Sequence, residues 1–240
     1  MTYEPKLTLE QVEEAATALE GKSVDEILDW GFATFGDGLG MMTALGYSGL
    51  IVMDFLRKRR PNMEILTIDT GHLFPETIEL RERLAREWGI RFTILHPRMS
   101  QAELETMLGA EPWKANPDLC CHYLKVEPLL RVIHTRDAWI SAVRRDQSVS
   151  RADADVVEMD GRGVIKVQPL VSWTFDRAWD YIRKNKIPYN PLHDRGYPSV
   201  GCVHCTAPVK PGEHERSGRW NSQPKLECGI HTPKQSSRRR

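Results

Sequence analysis

An α/β fold with a mainly parallel sheet is what the sequence predicts. Short apolar runs alternate with helix-patterned segments, at the spacing of βαβ units. Cap signals mark several of the helix starts. The apolar runs also end in polar or glycine-bearing turns, and such sheets bind ligands beyond the carboxyl ends of their strands. At 240 residues the chain can form one large domain. A domain of that size buries roughly 70–75% of its unfolded surface, so it needs no disulfide to fold.

The elements follow in order. Thr8 with Gln11 and Ser23 with Glu26 each fit a capping box, and Val24, Ile27 and Leu28 keep helical spacing. Residues 39–45 read as a strand. A turn with Gly46 and Gly49 leads into a helix over 50–56, closed by Arg57-Lys58-Arg59-Arg60 and Pro61. Residues 64–68 read as a buried strand with Asp69-Thr70-Gly71 at its end. A helix over 75–88, a strand over 91–95 and a helix opened by Ser100 and Glu103 come next. Residues 138–143 and 164–167 read as strands. A helix over 173–184 carries Phe175, Trp179 and Ile182 as its core stripe. From 188 to 224 periodicity is lost among Pro, Gly and His, as in a functional lid or a tail. The basic end, 235–240, reads as a frayed tail.

Composition narrows the function. Thirty-three Lys and Arg balance 33 Asp and Glu, which argues against bulk nucleic-acid or acidic-lipid binding. No run approaches 18 apolar residues, and residues 1–22 hold no apolar signal core, so a cytoplasmic protein is expected.

The five cysteines stand out: Cys120-Cys121, Cys202-x-x-Cys205 and Cys228. In the cytosol, cysteines are more often ligands or catalysts than disulfides. Four thiolates suit an iron–sulfur cluster or Zn²⁺. Adjacent cysteines are awkward for one tetrahedral ion, which favours the cluster; zinc and no metal stay open. Cys228 lies in Glu227-Cys228-Gly229-Ile230-His231, where a thiol near a histidine can be an activated nucleophile. Lys125, Arg144, Arg145, Arg216 and Arg219 could together bind a phosphate or sulfate ester. The turn 43–49, with Gly46 and Ser48, could offer backbone N–H groups to a phosphate at a helix N-terminus.

With these motifs the sequence resembles the assimilatory adenylyl-sulfate reductases, within the wider family that includes phosphoadenylyl-sulfate reductases. Four pieces carry the resemblance across about 23–231: Ile68-Asp69-Thr70-Gly71; Cys120-Cys121-x-x-x-Lys125-Val126-Glu127-Pro128-Leu129; Pro188-Tyr189-Asn190-Pro191-Leu192-His193-Asp194-Arg195-Gly196-Tyr197 running into Gly201-Cys202-x-x-Cys205; and Glu227 to His231. The resemblance implies a doubly wound, mainly parallel sheet of the adenine-nucleotide α-hydrolase-like (Rossmann-like) type. It implies a [4Fe–4S] cluster on Cys120, Cys121, Cys202 and Cys205, a feature associated with adenylyl sulfate as substrate. Cys228 would attack the sulfate sulfur, release AMP and carry a Cys-S-sulfonate. A separate thioredoxin (or glutaredoxin) would then free sulfite, and a homo-oligomer is expected. Lys125, Arg144, Arg145, Arg216 and Arg219 would meet the substrate, with Asp69, Thr70, Gly71, Gly46 and Ser48 around the nucleotide and His231 in support. Residues 1–206 would form the nucleotide and cluster domain, and 207–240 a mobile segment carrying the catalytic cysteine. One departure stands out: Ser48-Gly49 occupies the place of an acidic pair. The rivals are a phosphoadenylyl-sulfate reductase, a tRNA-thiolating enzyme of similar fold and a zinc-binding module. The tRNA enzyme would need a serine-double-glycine loop and a basic surface, which this sequence lacks.

Overall fold

The computed structural model describes residues 3–220, 223 and 225–236. Two capped helices open the chain, α1 (Leu9–Leu19) and α2 (Val24–Phe35). Thr8 accepts from the Gln11 amide and Ser23 from the Glu26 amide, and both boxes close reciprocally, as expected. Strand β1 (Leu39–Met42) enters the sheet, and α3 (Tyr47–Arg59) returns along it. The pattern repeats with β2 (Glu64–Ile68), α4 (Pro75–Trp88) and β3 (Arg91–Leu95). Proline at the first position of α4 and left-handed Gly89 after it fix that helix's ends.

Helix α5 (Gln101–Leu108) and the short α6 (Pro112–Ala115) and α7 (Pro117–Cys121) then lie outside the sheet. A π-turn (His122–Val126) joins α7 to α8 (Glu127–Leu130). The chain re-enters as β4 (Ala138–Ile140), β5 (Val157–Met159) and β6 (Ile165–Val167), followed by α9 (Phe175–Lys184).

The six strands run β3-β2-β1-β4-β6-β5. Every pair is parallel except β5 with β6. The sheet is therefore mainly parallel and wound in both directions from β1. Its core is Leu28, Met41, Leu50, Ile51, Leu84, Ile140 and Ile165, all fully or almost fully buried. Gly40 sits inside β1 because the Trp139 ring of β4 fills the space a Cβ would need.

Strand β1 ends at Met42 rather than Leu45, α3 runs from Tyr47 to Arg59 rather than over 50–56, and five further expectations need correction. Strand β4 ends at Ile140 rather than Val143, and β6 starts at Ile165. Strand β5 was not expected. Thr174 caps α9, so that helix starts two residues late. Its buried face is Ala178, Trp179 and Ile182, while Phe175 is 39% exposed.

The described part of 188–220 is irregular, as expected, with short 3₁₀ turns at Pro191–Arg195 and Val203–Cys205. Bridges tie Leu73 to Cys202 and Thr206 to Arg219. Near the C-terminal end Lys234 bridges Asp160, which follows β5, and its ammonium pairs with Asp155 at 2.5 Å. Of the predicted frayed tail, 237–240 lie outside the described residues. Among the described residues no helix is long and apolar enough to cross a membrane.

Candidate active site

A cleft of about 280 Å³ opens at the carboxyl ends of β1, β2 and β4. Strand order reverses between β1 and β4, which is where open α/β sheets bind ligands. The first turn of α3 forms one wall, with Gly46 and Ser48 on it. Gly46 is extended (φ −69°, ψ 156°) and no side chain caps the helix. The uncapped N–H groups and the helix dipole favour an anion there. A Cβ at Gly49 would collide with the Thr43 hydroxyl, so the turn has no room for an acidic side chain at that position.

Three expected cations meet on the wall: Lys125, Arg216 and Arg219. Burial alone would lower the Lys125 pKa, but the thiols of Cys202, Cys121 and Cys228 outweigh it and hold the ammonium charged. Its Nζ lies 3.9 Å from Cys121 Sγ. Burial, then Arg151, pulls Arg216 down to about 10, so it remains a cation at neutral pH. Arg219 lies over the Trp220 ring at 4.8 Å and donates to Ser199 Oγ at 3.3 Å.

The arginine pair divides, against expectation. Arg144 is fully buried beneath the wall; its guanidinium bonds Asp146 and Glu215 at 2.9 Å each and Ser48 at 2.5 Å. It braces the helix start instead of facing the cleft. Arg145 points away and forms a fork with Glu20 at 2.7 and 2.8 Å. Arg144 has extended backbone, which sends neighbouring side chains to opposite sides. The Asp69-Thr70-Gly71 turn divides too. Thr70 lies on the wall, 3.4 Å from Cys202 Sγ. Asp69 instead accepts from Gly71 N at 3.0 Å and pairs with Arg81 at 3.2 Å, and both Asp69 and Gly71 lie outside the cleft lining, against expectation.

Several wall residues were not anticipated. Arg151 forms a fork with Glu227 at 2.7 and 2.9 Å and donates to Gln147 at 2.6 Å. Lys166, only 5% exposed, stands 3.2 Å from Asp160. Arg162 donates to the Ile230 carbonyl at 2.7 Å and holds the tail against β5. These are single charges in short turns and strands, where no periodic signal marks them.

Cys228 is half-buried on the cleft wall, as is His231. Burial, then the cations Arg151, Lys166, Arg216 and Arg162, drive the His231 pKa well down, so its imidazole is neutral.

The other four thiols are buried and line one narrow second cavity with Leu124 and Lys125. Asn116 caps α7 and so sets Cys120-Cys121, accepting from Leu119 N at 3.0 Å. A 3₁₀ turn sets the other pair, with Cys205 N donating to Cys202 O at 3.0 Å. Trp113 and His204 close the cavity, their rings stacked at 3.7 Å. Burial and the neighbouring thiols push Cys120 up to about 12 and Cys205 up to about 11. All five cysteines are free of disulfides. Among the described residues no group of three or more His, Cys, Asp or Glu is drawn together around one metal ion.

The wall thus sets cations and an uncapped helix start beside a free thiol. The profile of the phosphoadenosine phosphosulfate reductase domain matches residues 38–208. The chain is 44% identical over 208 residues to an adenosine 5'-phosphosulfate reductase of Salinibacter ruber, covering 86% of this chain and 82% of that one. It is 40% identical over 234 residues to a phosphoadenosine 5'-phosphosulfate reductase of Gloeobacter violaceus, covering 95% and 97%. A crystal structure of phosphoadenylyl-sulfate reductase from Candida auris in complex with phosphate superimposes with TM-score 0.74 at 32% identity, covering 84% of this chain and 98% of that one.

Proposed function

The chain belongs to the phosphoadenosine phosphosulfate reductase family, and from that premise we propose that it reduces adenylyl sulfate to sulfite and AMP in sulfate assimilation. It is an oxidoreductase acting on a sulfur group. The observation that carries the reading is Cys228, a free, half-buried thiol on a wall shared with Lys125, Arg216 and Arg219.

In the first step the Cys228 thiolate attacks the sulfate sulfur. An S–S bond forms, the S–O bond to AMP breaks, and AMP leaves with that electron pair. Two anions must approach, so the barrier falls only where fixed cations offset the charge. Lys125, Arg216 and Arg219 do this, and the α3 N-terminus holds the nucleotide phosphate. Neutral His231 supports the bound substrate without adding charge. In the second step a thiol of reduced thioredoxin (or glutaredoxin) attacks Cys228 Sγ. A disulfide forms and sulfite leaves with the electron pair of the broken S–S bond. That thiol must reach Cys228, which the cleft leaves half-buried, so the described residues around Cys228 would have to move aside between the two steps. Reduced thiol partners and unpaired cysteines fit the cytoplasm.

The four buried thiols fit a [4Fe–4S] cluster. As thiolates they would place four like charges in one apolar cavity, which a cluster's iron would neutralise. Cys120, Cys121, Cys202 and Cys205 would be its ligands. When bound it would supply structural cross-linking and an electrostatic field, for both electrons come from thiols. Lys125 Nζ, beside Cys121, would join the two sites.

A second reading, the 3′-phosphorylated nucleotide as substrate, is favoured by the names of the Gloeobacter and Candida auris relatives. Steady-state kinetics with both nucleotides and reduced thioredoxin decide. The proposal expects the higher kcat/KM with adenylyl sulfate; preference for the 3′-phosphorylated form would overturn it.

A further inference from the structure

Glu227 directly precedes Cys228, and its carboxylate is held from three sides. Arg151 grips both oxygens, at 2.7 and 2.9 Å. Arg216 donates to one of them at 3.1 Å, and Ser150 Oγ to the other at 3.2 Å. Arg216 also donates to the Leu226 carbonyl at 2.9 Å. Both arginines and the carboxylate are largely buried, with side chains 12–18% exposed. Burial would raise the Glu227 pKa, but Arg151 and Arg216 hold it lowered, so the carboxylate is charged.

An acidic side chain in a cleft built for an anion works against substrate binding. Arg216 is shared, facing both the cleft and Glu227, and its Nε has no partner. Retaining the carboxylate costs affinity unless it does something else. Its position suggests what: the fork is geometrically exacting and lies one residue from the reacting sulfur.

We propose that Glu227 is a positioning residue that sets Cys228 for attack by bracketing Arg151 and Arg216. The inference rests on the reading of Cys228 as nucleophile. The bracket fixes the backbone at 226–227, and so the origin of the Cys228 side chain. It also ties the Arg216 guanidinium, which lines the cleft, to the same carboxylate. In-line attack tolerates little error, since a displacement of about 1 Å can cost roughly 10²-fold in rate. A positioning role and a merely structural one differ in a measurable way. Loss of positioning slows attack at saturating substrate, while loss of a competing carboxylate leaves nucleotide affinity unchanged or tighter.

The test follows formation of the Cys228 S-sulfonate with labelled adenylyl sulfate at saturation, without reductant. AMP affinity and melting temperature are measured on the same samples. Glu227→Gln keeps the shape and removes the charge. It should label roughly 10²-fold more slowly, with AMP bound as tightly as in the wild type or more so. Glu227→Asp keeps the charge but reaches only one arginine, so it should label at an intermediate rate. Labelling of Glu227→Gln within about twofold of wild type, or a loss of AMP affinity in step with the rate, would overturn the inference. So would a Glu227→Asp variant no faster than Glu227→Gln; if the Gln variant does not fold, a Glu227→Asp variant that labels within about twofold of wild type overturns the inference instead. Wild-type protein that gains no label at all would overturn the functional reading together with the inference, whereas a labelled wild type with unaffected variants overturns the inference alone.

Discussion

Cys121 and Cys228 pack in one apolar cluster with Trp220, yet they face different neighbourhoods. Cys121 is 3% exposed and shares its cavity with three more thiols. Cys228 lines an open cleft with Arg216, Arg219 and Arg151. In the first place burial, with neighbouring thiols adding to it, raises Cys120, Cys121 and Cys205, and the demand is for a positive centre. In the second, cations surround Cys228, and the demand is for an anionic partner. Lys125 stands in both, its charge held by Cys202, Cys121 and Cys228 alike. The role of a cysteine here follows from the charge and burial around it.

Substitutions can break the comparison at either end. The largest effect is expected at the cleft: Cys228→Ser should lower sulfite release at least about 10³-fold, while absorbance and iron content stay at wild-type levels. Cys121→Ser should do the opposite kind of damage. It should lose iron, labile sulfide and brown colour, and lower the melting temperature by roughly 10 °C. A Cys121→Ser protein that keeps its iron would remove Cys121 from the ligand set.

The cations sharpen the contrast with a smaller effect. Arg219→Ala should cost about 10²-fold in kcat/KM, or about 2.7 kcal/mol. Gly201→Ala probes the same group indirectly, since a Cβ at 201 would collide with the Arg219 guanidinium. The flexible end of Arg219 can move aside, so the melting temperature should barely change while kcat/KM falls about tenfold.

The smallest effect concerns pH. His231 is held neutral in the fold, by burial first and then by Arg151, Lys166, Arg216 and Arg162. In the unfolded chain it takes up a proton below about pH 6.5. The unfolded state then binds more protons, so stability falls as pH drops through that value, by up to about 1.4 kcal/mol per pH unit. Melting at pH 7.5 and 5.5 should show a smaller acid loss in His231→Gln than in wild type; equal losses would contradict the neutral assignment.

The two regions also differ in how far they were legible in the sequence. Capping boxes at Thr8, Ser23 and Ser100 place helix starts to the residue, because they are local chemistry. The five cysteines divide as four and one from spacing and resemblance, and the structure brings the four to one cavity. The cleft wall was harder to read. Arg144 and Arg145 are adjacent and identical in type, and only their partners in the fold, Asp146 and Glu215 for one and Glu20 for the other, show that neither faces the cleft. Arg151 and Glu227 are 76 residues apart, and nothing local announces their fork. Phe175 fits the helical stripe, but it stands in the first turn, where α9 leaves the core.

The central claim is that Cys228, and no other cysteine, takes the sulfonate. Incubation with labelled adenylyl sulfate in the absence of reductant, followed by proteolysis and mass spectrometry, tests it directly. The account predicts one sulfonate per chain, on Cys228, with release of one AMP. A sulfonate on Cys120, Cys121, Cys202 or Cys205, or AMP release with Cys228 unmodified, would contradict it.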